Sequence, residues 1–181
     1  MPAPPEVWTL EDLANLPEDG RRYEIVDGEL HVSPAPGPPH QFALNELCYV
    51  LTHVRPPDLA IMPGIDIDMG HTMLIPDVSV VVKSAMRGAS LARPADVRLA
   101  VEIVSPSSVK MDRLLKPERY AAAGIPSYWR VEPGRNDTEL TIFVYELDGD
   151  KYRETVVIEA GEQVTVDRPF RVTLAPAQFI L

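Results

Sequence analysis

Apolar residues along this chain change their spacing several times, and each change marks an element. TLEDLANLPEDG has the spacing of a short helix, with Thr9 as N-cap, Asp12 placed for a capping-box contact and Pro17 near the end. RRYEIVDGELHVSP then alternates in strand fashion about Asp27-Gly28, a type I′ hairpin signal. Behind the stiff connector APGPP, a helix is predicted from His40 to about Val54, because Phe42, Leu44, Leu47, Val50 and Leu51 recur near helical spacing. LAIMPGIDIDM and LIPDVSVVV read as two strands of a second hairpin turning at Gly70-His71, and RGASLARPAD reads as loop. The strand VRLAVEIVS leads to a helix from about Asp112 to Ala123, closed by Gly124 at C′, and then to the strand SYWRVEP. Two more strands, LTIFVYEL and KYRETVVIE, flank the Asp148-Gly149 turn, and EQVTV and FRVTL follow.

This order predicts an α/β fold: a mixed central β-sheet flanked by helices, with β-hairpin additions at both ends. With 181 residues and no internal repeat, the chain reads as one domain over 1–181. The 19 prolines fall in connections, so they stiffen loops. The single cysteine, Cys48 in LCYVL, excludes an internal disulfide and reads as a small buried hydrophobe. MPAPPEVWTLEDL lacks the basic flank and apolar run of a signal peptide, and no apolar run reaches the ~20 residues of a membrane span. A cytoplasmic protein is expected. The formal net charge of −10 argues against non-specific coating of nucleic acid and suits a site that collects divalent cations.

One residue breaks the apolar pattern where burial is most expected. Alternation sets Leu99, Val101 and Ile103 on one face of their strand and Ala100, Glu102 and Val104 on the other. A carboxylate buried there without a partner costs several kcal/mol or changes its protonation state. A metal ion, a nearby cation or a solvated cleft could compensate. Asp77, directly after Pro76, interrupts the preceding apolar strand in the same way, and two such acids on neighbouring strands form a pattern that suits Mg²⁺. Asp112, Lys116 and Tyr120 share one helical face in the element that follows Glu102's strand, so the lysine can reach the acidic pair. Pro117 is best tolerated near a first turn. Lys110, Arg113, Lys116 and Arg119 could form a modest basic patch or a solvated helix face. His31, His40, His53 and His71 lack zinc-ligand spacing, and the serines of SPSS have no nucleophile elbow around them.

IPDVSVV, LAVEIVSPSS, DRLLKPERYAAAGIPSYWRVEP and RRYEIVDGEL together resemble the Uma-type family of bacterial restriction-endonuclease-like proteins, within the PD-(D/E)XK nuclease superfamily. The resemblance covers nearly the whole chain in order, and the helix-to-strand block is its most specific part. It implies a restriction-endonuclease-like core, with Pro76-Asp77 matching the PD and Glu102 the second acid. The lysine usual two residues later is replaced by Val104, and Lys116 takes its place from the next helix. Glu24 and His40 also fall on family-like positions, Glu24 as an additional acid and His40 at the start of the first core helix.

By this resemblance the chain is a Mg²⁺-dependent endonuclease acting on DNA, with Mn²⁺ a possible substitute. Asp77, Glu102 and the Ile103 carbonyl would hold the ion, and Lys116 would orient or deprotonate water or neutralise the pentavalent state. A homodimer is also implied. The alternatives are a non-catalytic binding or regulatory module that keeps the metal site, and hydrolysis of another phosphate substrate.

Overall fold

The computed structural model of the chain describes residues 6–134 and 138–181. Its first element, α1 (Leu10–Leu13), is one turn held by the reciprocal Thr9–Asp12 capping box that the sequence predicts. The hairpin of β1 (Arg22–Val26) and β2 (Glu29–Ser33) turns at Asp27 and Gly28, whose φ values of 52° and 84° are both positive, as a type I′ turn requires. Helix α2 (Pro38–Val54) starts two residues earlier than the pattern suggests, since prolines are tolerated in a first turn. It buries Ala43, Leu47 and Leu51, one stripe at four-residue spacing.

The second hairpin departs from expectation. Each arm divides in two, giving β3 (Leu59–Pro63) and β4 (Ile67–Asp68) on one side of the turn and β5 (Met73–Leu74) and β6 (Val78–Val82) on the other. Between the pieces stand Gly64, at a φ of +63°, and Pro76, which has no N–H to give a ladder. The base of the hairpin pairs from Leu59↔Val82 to Pro63↔Val78, while its tip pairs separately at Ile67↔Leu74 and joins the N-terminal hairpin as a sheet of order β2-β1-β5-β4.

With β7 (Val97–Ile103), β8 (Ser127–Pro133), β9 (Leu140–Asp148) and β10 (Lys151–Ile158), the central sheet has the order β10-β9-β8-β7-β6-β3. Within it β7 and β8 run parallel and every other neighbour antiparallel, so the sheet is mixed as expected. The connection from β7 to β8 carries a wide π-type turn, Met111–Leu115, continuing into α3 (Lys116–Ala122). Pro117 offers no N–H, and the Lys116 N–H reaches back five residues to the Met111 carbonyl. Gly124, at φ +79°, closes the helix in the C′ position.

Each sheet face is covered by one helix and one β-addition. Leu47 and Leu51 of α2 pack with Leu99, Val101, Ile103 and Trp129, and this side is completed by Phe179 and by the hairpin of β11 (Val164–Val166) and β12 (Val172–Leu174). On the other side Tyr120 of α3 packs with Ala100, Val97 and Tyr128, together with Ile67 and Leu74 of the N-terminal sheet. From Leu99 to Ile103 alternation along β7 sorts its side chains between two cores, and Glu102 falls on the α3 side with Ala100; the register shift before Leu99 puts Val97 on that side as well. None of the helices in the described residues is long and apolar enough to cross a membrane.

Candidate active site

Pairing of β6 with β7 at Val78↔Val101 sets Asp77, one residue before β6, beside Glu102 near the end of β7. Both are buried, at 2% and 1% exposure. Around them the fold brings Glu24 from β1, His40 from the first turn of α2, Asp112 from the π-type turn and Lys116 from the start of α3. Asp77, Glu102, Glu24, His40, Lys116 and Ile103, all expected at the site, line one cleft of about 220 Å³.

Every charged group in this cleft is held by another. Asp77 Oδ1 accepts from Arg22 Nη1 at 2.8 Å; its Oδ2 accepts the Ile103 N–H at 2.7 Å and lies 3.1 Å from His40 Nε2. Glu102 Oε1 accepts the Tyr120 hydroxyl at 2.6 Å, and Oε2 accepts from Lys116 Nζ at 3.1 Å. Nζ also lies 3.0 Å from Glu24 Oε1, which accepts the Ile75 N–H at 2.8 Å, and 3.7 Å from Asp112 Oδ1. The lysine is therefore not a solvated helix residue: it is 3% exposed and centred among three carboxylates.

The two expected carboxylates differ in electrostatics. Burial pushes the Asp77 carboxyl up, but His40, Arg22 and the Ile103 N–H outweigh it and hold the group down at about 2. Burial dominates at Glu102, where Asp112, Asp77 and Glu24 add to it, and its carboxyl is pushed well above the usual range despite Lys116. Asp112 is pushed up to about 6 by burial, with Asp77 and Glu24 adding and Lys116 and Ser108 opposing. Burial works against the charge on Lys116, yet Glu102, Glu24 and Asp112 overcome it and raise its pKa, so the amine stays an ammonium.

Three further groups belong to this network. Arg22 was legible only as a strand residue, although two-residue alternation with Glu24 puts both on one face of β1. Asp112 and Tyr120 share Lys116's helical face in the sequence; Asp112 meets Lys116 as a local i,i+4 pair, while the contact of Tyr120 to Glu102 is tertiary. The suggested basic patch is not present as a free surface: Lys116 is buried, Arg113 pairs with Glu132 and Arg119 with Asp27, which leaves Lys110 exposed. Trp129 and Tyr128 are buried core residues, as their strand pattern predicts, and Cys48 is half-buried with its thiol pushed up to about 11 by burial. The SPSS segment forms a turn in which the Ser105 N–H donates to Ser108 Oγ at 2.9 Å.

The chemistry of the donor set fits a hard divalent ion. Its ligands would be carboxylate and main-chain oxygens, the kind Mg²⁺ and Mn²⁺ prefer. Four buried carboxylates (Glu24, Asp77, Glu102, Asp112) stand against two permanent cations, Lys116 and Arg22, an excess of two negative charges when all are ionised. No three His, Cys, Asp or Glu side chains among the described residues close on a point as a finished cage, because Lys116 sits between the acids. Ile103 is expected to lend a carbonyl to the ion; the contact the structure shows for it in this cleft is its N–H, donated to Asp77 Oδ2.

The solved structure described as "a putative nuclease belonging to DUF820", from Anabaena variabilis, superposes with a TM-score of 0.69 at 22% identity, over 90% of this chain and 89% of that one. That likeness establishes a restriction-endonuclease-like fold. No curated protein is matched by the sequence. The Uma2 family model, described as "Putative restriction endonuclease", matches residues 10–177. Since this match spans nearly the whole chain, the protein belongs to the Uma2 family.

Proposed function

We propose that this chain is a divalent-metal-dependent phosphodiesterase that cuts DNA at the cleft between β6, β7 and α3. The observation that carries this reading is the buried Lys116 ammonium, within hydrogen-bond distance of Glu24 and Glu102 in the cleft that Asp77 also lines. Asp77 and Glu102 would hold Mg²⁺, with Ile103 as the main-chain contributor and Mn²⁺ as a substitute. Bound there, the ion supplies Lewis-acid activation of water and neutralises charge on the phosphate. The chain's own groups do the rest. Arg22, His40 and the Ile103 N–H fix the Asp77 carboxylate in its ionised form. Tyr120 fixes one oxygen of Glu102 and leaves the other to face Lys116. Lys116, held protonated by its acids, acts as a cation and hydrogen-bond donor toward a phosphate oxygen rather than as a base.

The test is incubation of purified protein with single- and double-stranded DNA and with RNA, in Mg²⁺ or Mn²⁺, beside Glu102→Ala and Lys116→Ala. The expected result is cutting of DNA that needs the ion and is lost in both variants. Cutting that survives both substitutions comes from a contaminant. Absence of cutting on every substrate favours the non-catalytic module, a reading supported by the saturated contacts of Asp77 and the acidic net charge.

A further inference from the structure

Glu102 has one oxygen to offer an ion, and Lys116 holds it. Oε1 accepts from Tyr120 at 2.6 Å and Oε2 from Lys116 Nζ at 3.1 Å, so any cation arriving at Oε2 competes with the ammonium for the same atom. Losing Oε2 would leave this buried ammonium, at 3% exposure, with Glu24 as its one carboxylate within hydrogen-bond distance. A second acceptor stands beside it. Asp112 Oδ1 lies 3.7 Å from Nζ, accepts no hydrogen bond among the described residues, and belongs to a side chain that is 2% exposed and lines the same cleft.

We propose that Asp112 is the second seat of Lys116: a positioning residue that receives the ammonium when a divalent cation takes Glu102 Oε2. The inference rests on the metal-dependent reading above and deepens it. Glu24, 3.0 Å from Nζ, keeps its contact throughout, so the swing is short, on the order of 1 Å to bring Nζ into hydrogen-bond range of Asp112. The seat itself is rigid. Asp112 donates its N–H to the Ser108 carbonyl at 2.9 Å and accepts the buried Tyr128 hydroxyl on its own carbonyl at 2.6 Å. That carbonyl is open to Tyr128 because the Lys116 N–H goes to Met111 instead, a consequence of the π-type turn. Ion binding and lysine placement are thereby interlocked: without an ion the ammonium is clamped on Glu102, and with one it stays in the cleft instead of leaving it.

The experiment uses the full chain, as wild type, Asp112→Leu and Asp112→Glu, with two readouts. Mn²⁺ affinity is measured by calorimetry, and the Lys116 ammonium is followed by ¹⁵N NMR with and without Mg²⁺. Lys83, Lys110 and Lys151 are exposed, so the slowly exchanging ammonium signal belongs to Lys116, and its presence without metal reports that each variant is folded. In wild type Mg²⁺ is expected to shift this signal and leave it protected. In Asp112→Leu, which has no acceptor, Mn²⁺ affinity is expected to fall about tenfold, and the Mg²⁺-loaded signal to broaden away, with Asp112→Glu recovering part of both. A protected Mg²⁺-loaded signal in Asp112→Leu overturns the inference, even with weakened affinity, since that is what loss of a nearby charge alone would do. If wild type binds no Mn²⁺, the metal reading itself fails, and the second seat with it.

Discussion

Strand β7 presents the same degree of burial on both faces and opposite chemistry. Leu99, Val101 and Ile103 are 0–4% exposed against α2 and the C-terminal hairpin, and Glu102, at 1%, is as deep against α3. The apolar face is satisfied by close contact with whatever fills the space, and small misfits there are absorbed by repacking. The Glu102 face is satisfied by count and sign: each acid needs a donor or cation of its own, and with all four acids ionised the two permanent cations fall short by two charges, a strain that shows in the raised Glu102 and Asp112 carboxyls. Burial alone therefore does not separate core from site in this protein; the unbalanced charge does.

The largest expected effect comes from removing the cation at the centre. Lys116→Met leaves Glu24, Glu102 and Asp112 without their shared ammonium and should destabilise the protein by about 3–5 kcal/mol in chemical denaturation. Adding Glu102→Gln to that variant should recover part of the loss, because the two residues are directly coupled. On the opposite face, Leu99→Ala should cost about 3 kcal/mol through the cavity it leaves. No second substitution of one partner should rescue it, and Mn²⁺ affinity should be unchanged.

A smaller effect separates the two acids by pH. Asp77 is held at about 2 in the folded protein against 3.8 for the free side chain. The unfolded chain thus binds more protons over this interval, and Asp77's contribution, about 2 kcal/mol, is present above pH 4 and lost as pH falls toward 2. The stability difference between wild type and Asp77→Asn, followed by urea unfolding, should shrink over that window. Asp112 has the reverse sign. Its carboxyl is raised to about 6, so the folded protein binds the extra proton and this group lowers stability as pH rises from 4 to 6.

Much of this arrangement was legible in the sequence for local reasons. Asp27-Gly28 names its hairpin because the turn chemistry is contained in the dipeptide, and Gly124 names the end of α3 for the same reason; the turn expected at Asp148-Gly149 falls one residue later, at Gly149-Asp150, because Asp148 still pairs with Lys151. Glu102 stands out because it violates alternation inside an otherwise apolar strand. The division of the second hairpin into two sheets was not read, although Gly64 and Pro76 mark where its ladder breaks; the pattern of apolar residues runs straight through them. Arg22 and Tyr120 stayed hidden as site residues because their partners lie 55 and 18 positions away, and Asp112 because its place beside Lys116 depends on a helical turn of unusual width. The surface patch failed for a related reason: Glu132 and Asp27, remote in sequence, claim two of its arginines.

On the metal-dependent reading proposed above, a divalent cation would match the negative charge gathered around Glu102. Thermal unfolding of wild type and Glu102→Gln, each with chelator and with saturating Mn²⁺, tests it most directly. A ligand that binds only the folded state raises its melting temperature, so Mn²⁺ is expected to raise that of wild type and leave Glu102→Gln nearly unmoved. An equal shift in both proteins, or none in either, would contradict the account.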